Sequence, residues 1–170
     1  MGTIRIAGIV KQSVVDGPGL RLTIFTQGCP HHCPGCHNPE THDFAGGYDC
    51  EIAEILGELK KNPLLRGITL SGGEPLCRAE ELLPLVREAK KAGKDVFCYT
   101  GYTFEELMQQ REKDANLSDL LELIDLLVDG PYLQSQRDLT LRFRGSQNQR
   151  VLDLPASLQK GEPVWAEGYR

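Results

Sequence analysis

The chain of 170 residues carries a net charge of −5, with 19 Lys and Arg against 24 Asp and Glu. One domain spanning 1–170 is expected from that length, which suffices to bury a core without disulfide support, and the basic residues are scattered rather than striped, so no nucleic-acid partner is expected. MGTIRIAGIV shows no signal-peptide pattern and no apolar run is long enough to cross a bilayer, so a cytoplasmic protein without a membrane partner is expected.

TIRIAGIVKQ alternates apolar and polar residues, breaks at Asp16-Gly17-Pro18-Gly19, and resumes in LRLTIFTQG, which predicts a hairpin-like entry. Ile52, Ile55, Leu56 and Leu59 fall at helical spacing and Asn62-Pro63 stops the run, predicting a helix over about 50–61. GITLSGGEPL reads as a strand running into glycines. EELLPLVREAKKAG reads as a helix with Leu82, Leu85, Val86 and Ala89 on one face and Gly93 as its stop. Pro84 is acceptable there only in the first turn or at a kink. DVFCYTG predicts a further strand, and Thr103 with Glu106 forms a capping-box pattern that opens a helix over FEELMQQ. LSDLLELI, DLLVDG and QRVLDL continue the alternation of helix and strand.

Strands alternating with helices of this length predict an α/β fold with a parallel sheet. Five or six strands are too few for a closed eight-stranded barrel, which takes about 250 residues, so an open, partial (β/α) barrel is expected. In such sheets ligands gather at the C-terminal ends of the strands. The stretch QGCPHHCPGCHNPET, the glycine pair of LSGGEPL and the YTG of CYTGY each follow a predicted strand, which puts all three on one rim.

Cys29, Cys33 and Cys36 form C-x3-C-x2-C on a loop rich in Pro and Gly. Cysteines in a chain read as cytoplasmic stay reduced, which makes this group a metal or cluster site rather than a disulfide framework. Three thiolates are one short of the four that close a structural zinc or an electron-transfer cluster. Two readings stand at this point: a zinc ion with His37 or His42 as fourth ligand, or a [4Fe-4S] cluster with one iron open to a substrate. Cys50, Cys77 and Cys98 lie outside the group and read as small buried hydrophobes.

Gly72 and Gly73 remove side chains so that a ligand can approach the backbone, and Glu74 adds an anion suited to an ammonium group; alone, such a pair is usually a turn. Thr100, Gly101 and Tyr102 end the next strand, where they double as a helix cap. Asp129 ends another, placed either for a ribose or the reacting site, or as a simple Asp-Gly turn.

CPHHCPGC resembles the signature of the radical S-adenosylmethionine (SAM) family, and SGGEP resembles that family's GGE motif. The resemblance implies a partial barrel of the radical SAM type. It also implies that Cys29, Cys33 and Cys36 ligate three irons of a [4Fe-4S] cluster while the amino and carboxylate groups of SAM chelate the fourth. Ser71, Gly72, Gly73 and Glu74 then contact SAM, with Thr100 and Asp129 in reach. Reduction cleaves a C–S bond of SAM to methionine and a 5′-deoxyadenosyl radical. Gly35 departs from the bulky apolar residue often found before the third cysteine, and His37 is the candidate to take over contact with the adenine.

VVDGPGLR and CHNPET resemble the activases of glycyl radical enzymes, and LLVDGPYLQSQRDLTLRFRGSQNQRVLDL resembles the branch that serves anaerobic ribonucleoside-triphosphate reductase. The likeness spans about 13–154 and leaves Trp165 and Tyr169 unplaced. It implies the reductase large subunit as partner and a flavodoxin or ferredoxin as electron donor. Asp16, Gly17, Pro18, Gly19 and Arg21 would lie near the partner's glycine loop, with Arg142, Arg144 and Arg150 against its acidic surface; a plain turn and solvated charges are the alternative. A chain this short has little left to enclose a second small substrate, whereas an open side admits a loop of another protein. The competing functions are activation of another glycyl radical enzyme such as pyruvate formate-lyase, or a zinc-stabilised interaction module.

Overall fold

The computed structural model describes residues 2–170. In chain order its elements are β1 (Thr3–Ser13), β2 (Arg21–Thr26), β3 (Tyr48–Glu51), α1 (Ile52–Lys61), β4 (Gly67–Gly72), α2 (Ala79–Lys91), β5 (Asp95–Tyr99), α3 (Phe104–Gln110), α4 (Ala115–Leu121), β6 (Leu126–Asp129), β7 (Arg150–Asp153) and α5 (Leu154–Lys160). One seven-stranded sheet runs β3-β1-β2-β4-β5-β6-β7. Its centre, β2-β4-β5-β6, is parallel, as βαβ connections require. The predicted hairpin of β1 and β2 is antiparallel, and β3 and β7 pair antiparallel at the two edges. The sheet is open at β3 and β7 and mixed, with seven strands where five or six were expected. No helix among the described residues is long and apolar enough to cross a membrane.

Strand alternation sorts the core into two faces. Leu22, Ile24, Ile68, Leu70, Val96, Cys98, Leu127 and Leu152 point to the helical side, where they meet Ile55 and Leu59 of α1, Leu82, Leu85 and Val86 of α2, Leu107 of α3 and Leu120 of α4. Each such fully buried side chain contributes about 1.5–3 kcal/mol by leaving water, so this face carries most of the stability. The other face is mixed. Phe97, Val128 and Val151 form a small second cluster there with Ala166, joined by Tyr99, Phe143 and Tyr169, while Thr23 and Thr69 are buried beside it. A parallel strand buried on two apolar faces would read as continuously apolar; β2 and β4 alternate because Arg21, Thr23 and Thr69 on their second face hydrogen-bond to one another and to the 16–19 turn.

The Thr103–Glu106 capping box is formed: Glu106 N–H donates to Thr103 Oγ1 and Thr103 N–H to Glu106 Oε1. The expected helix of 50–61 begins at Ile52, because Tyr48–Glu51 pair with β1 as strand β3, and Cys50 lies on that edge strand. Pro84 is the sixth residue of α2, inside the helix and past its first turn. Glu80, whose carbonyl loses its partner to the proline ring, is exposed to water. Helix α5 was not expected, although Asp153 caps it through Ala156 N–H at 3.0 Å, Pro155 lies in its first turn, and Gly161 closes it in the left-handed conformation. Cys50 and Cys98 are buried as expected, but Cys77 is exposed. It sits on a 3₁₀ turn, Pro75–Arg78, whose Pro75 and Leu76 face inward instead.

Candidate functional site

The cysteine loop leaves β2 at Thr26 and is folded back on itself by backbone contacts. Gly28 N–H donates to Thr41 O at 2.7 Å, Cys29 N–H to His42 O at 3.1 Å, and Cys36 N–H to Cys33 O at 3.1 Å. The buried Gln27 side chain staples the returning chain, donating through Nε2 to the carbonyls of Glu40 and Asp43. Gly35 has φ +75°, and a Cβ there would meet the Gln134 amide, so the short C-x2-C turn requires glycine. Cys29 is buried, Cys33 and Cys36 are half-buried, and none is in a disulfide.

The glycine pair ends β4 directly beside this loop. Gly73 N–H donates to Thr26 O at 3.2 Å and Glu74 N–H to Gly28 O at 2.8 Å. Gly72 has φ +117°, and a Cβ there would strike the Thr26 backbone; one on Gly73 would strike the Gly28 carbonyl. The pair therefore lets two strand ends close on one another, besides exposing backbone to a ligand.

All three cysteines, His37, Ser71, Gly72, Gly73, Thr100 and Gly101 line one cavity of about 780 Å³ at the C-terminal rim, so the three motifs meet there as expected. Tyr99 of the expected YTG lines it too, as do Tyr132, Phe143 and Gln149, which the sequence does not single out. His37 and Tyr132 bring their rings to 5.0 Å. Phe143 adopts φ 62°, a conformation that is uncommon for an aromatic residue. Local sequence carries no signal for Tyr132, Phe143 and Gln149, since they reach the cavity on loops distant in the chain; the Asp129-Gly130 turn before Tyr132 is the nearest hint.

Burial is the main cause that pushes the Cys29 thiol up to about 11, with the charges of Glu74, Cys33 and Cys36 adding and the His31 backbone N–H opposing. Ligation of iron must displace that proton. Three free thiols on one cavity, next to a wall of glycine backbone, fit a cluster held at three corners. Among the described residues no three His, Cys, Asp or Glu side chains are gathered on one point; His37 packs against the Tyr132 ring and His42 against the His32 ring.

Several side chains expected at the ligand or the partner are engaged within the protein. Glu74 does not offer its carboxylate to the cavity: it is fully buried and accepts from Leu76 N–H at 3.0 Å, Gly101 N–H at 2.8 Å, Thr100 Oγ1 at 2.9 and 3.0 Å, and His31 Nε2 at 2.7 Å. Asp129 alternates with Val128 and so points to the helical side, where it accepts from Phe104 N–H at 2.7 Å and from both Nε and Nη2 of Arg150. Arg150 is thereby committed to Asp129 and Glu105 rather than to a partner surface. Arg144 lines the cavity and donates to the carbonyls of Gln149 and Tyr169, with its guanidinium 5.0 Å over Trp165. Arg142 alone of the three is exposed. Arg21 is fully buried and donates to Pro18 O, Thr69 Oγ1 and Ile68 O, holding the 16–19 turn instead of meeting a partner. Asp16 does line the cavity mouth, next to the exposed Val15.

The fold and the cysteine loop define an iron–sulfur protein: the family model described as "4Fe-4S single cluster domain" matches residues 15–152. The relatives named anaerobic ribonucleoside-triphosphate reductase-activating protein include those of Haemophilus influenzae, 40% identical over 146 residues covering 81% of this chain and 90% of that protein, and of Vibrio cholerae, 42% identical with the same coverage. The protein of that name from Enterobacteria phage T4 is 35% identical over 144 residues, covering 81% and 86%. The chain belongs to the family of anaerobic ribonucleoside-triphosphate reductase-activating proteins. Its fold is similar to that of QueE from Escherichia coli, with a TM-score of 0.50 at 19% identity over 59% of this chain and 54% of that one.

Proposed function

We propose that this chain is a radical SAM activase that generates the glycyl radical of an anaerobic ribonucleoside-triphosphate reductase. The observation that carries the reading is the single cavity shared by Cys29, Cys33, Cys36 and the Gly72-Gly73 strand end. The three thiolates would hold a [4Fe-4S] cluster. When bound, such a cluster would supply the low-potential electron for reductive cleavage of SAM, chemistry that would end with one hydrogen removed from a glycine Cα of the reductase large subunit. The chain's own residues position and shield. Gly72 and Gly73 offer backbone to the methionine end of SAM, Ser71 and Thr100 border it, and His37 with Tyr132 forms an aromatic corner suited to a base. Tyr99 and Phe143 line the wall where water must be excluded. The cavity mouth at Val15 and Asp16 would admit the partner's loop, in a cytoplasmic setting with a flavodoxin or ferredoxin as electron donor.

The test is anaerobic reconstitution with iron and sulfide, then reductant, SAM and the reductase large subunit. A glycyl doublet in electron paramagnetic resonance together with 5′-deoxyadenosine is expected. Protein that forms neither, or that activates pyruvate formate-lyase in preference, overturns the proposal.

A further inference from the structure

We propose that His31, which itself lines the cavity, is a positioning residue that locks the cysteine loop against the two strand ends facing SAM, so that the affinity for SAM depends on the bridge its imidazole makes to Glu74; this rests on the assignment of the cavity to cluster and SAM above. His31 lies between Cys29 and Cys33, yet its side chain leaves the loop and bridges to Glu74, 43 residues away, through Nε2 at 2.7 Å. The carboxylate is an acceptor, so the imidazole donates.

Three features make this contact more than a chance surface pair. Glu74 is fully buried, and its other four hydrogen bonds come from groups on or after β4 and β5, namely Leu76 N–H, Gly101 N–H and the Thr100 hydroxyl shared by both oxygens. His31 is the one side chain from the cysteine loop that joins them. The ring is also seated by shape: it meets Tyr102 edge-on at 4.5 Å, and a Cβ on Gly101 would fall 2.5 Å from its Cδ2 and 2.6 Å from its Nε2. Glycine at 101 is thus the space that the imidazole occupies. Backbone bonds from Gly73 and Glu74 to Thr26 and Gly28 anchor only the start of the loop, whereas His31 anchors it between two of the three thiols.

A charge-assisted hydrogen bond of this kind is worth about tenfold in an equilibrium. In the reconstituted protein, His31→Leu is therefore expected to retain iron and sulfide but to bind SAM about tenfold more weakly, with a smaller SAM-induced change in the spectrum of the reduced cluster. His31→Gln places an amide N–H near the position of Nε2 and is expected to restore most of both. In protein without iron, amide exchange over residues 29–36 is expected to quicken about tenfold in His31→Leu and to recover in His31→Gln, with α2 unchanged. This arm decides the matter alone should His31→Leu take up no iron. His31→Leu that matches the parent in SAM affinity and loop exchange overturns the inference, as does exchange that quickens evenly across the sheet, which marks an ordinary core residue. A parent protein whose cluster spectrum ignores SAM defeats the assignment of the cavity instead, while the iron-free exchange still reads the role of His31.

Discussion

Arg21→Met separates a docking role for the DGPGLR stretch from a structural one. The guanidinium is fully buried and donates to Thr69 Oγ1 at 2.8 Å, Pro18 O at 2.9 Å, Ile68 O at 2.8 Å and, at the longer distance of 3.3 Å, Asp95 O. It also lies against Asp95, whose Oδ1 is close enough to Nη2 for Coulomb attraction although outside hydrogen-bond geometry. Truncation strands the three closely held acceptors, each at about 1–3 kcal/mol when left unsatisfied, and loosens the long contact to Asp95 O. The loss at Asp95 is limited because its Oδ2 keeps Arg66 at 3.1 Å and a third of the side chain is open to water, although Oδ1 itself is buried. Methionine refills most of the volume, so the low end applies and about 3 kcal/mol of stability should be lost. With a urea slope of about 2 kcal/mol/M, the unfolding midpoint should fall by about 1.5 M. Far-UV circular dichroism of the iron-free, reduced protein in urea measures it. A midpoint equal to the parent's, joined to weaker reductase activation, would return Arg21 to the docking surface and refute this account of the turn.

Two further outcomes follow from the corrected contacts. Asp129→Asn removes the charge that Arg150 and the Phe104 N–H share, while Glu105 still partners Arg150, so about 2 kcal/mol and about 5 °C in Tm should be lost; unchanged Tm with weaker SAM binding would restore Asp129 to the ligand. In iron-free protein, iodoacetamide should reach Cys29 slowly, because burial holds its thiol near 11. Only the thiolate reacts, at about one part in a thousand at pH 8, so peptide mapping should show labelling that rises about tenfold per pH unit between 8 and 10. A rate at Cys29 that is flat in pH would contradict the buried, protonated thiol.

What could be read in advance followed from how local each feature is. The C-x3-C-x2-C group, the glycine pair and the Thr103–Glu106 cap each lie within a few residues, and periodicity placed the strands whose ends carry them. That was enough to foresee that the three motifs share a rim, because parallel strands point their C-terminal ends one way. Tyr132, Phe143 and Gln149 were out of reach, since a loop with no periodicity brings them to the cavity. The pairing of His31 with Glu74 was hidden for another reason: two motifs that each read as ligand-facing turn part of their polar chemistry toward one another.

The misplaced charges are more instructive, because their error has one physical source. Sequence alone offers a polar residue in or beside a strand equally to a ligand or a partner, yet in a sheet covered on both faces parity decides where it goes. Val128 packs with Phe97 on the cavity side, which sends Asp129 to the helices. Val151 shares that cavity-side cluster, which sends Arg150 after it, and the two charges then neutralise one another at the start of α3. Arg21 shares its face with Thr23 on β2, yet it lies beneath the 16–19 turn, whose Pro18 carbonyl it holds. Burying such charges unpaired would cost several kcal/mol each, so once parity is known, the presence of a partner can be demanded before it is seen. Asp129 and Arg150 meet that demand as an ion pair across the β6–β7 register.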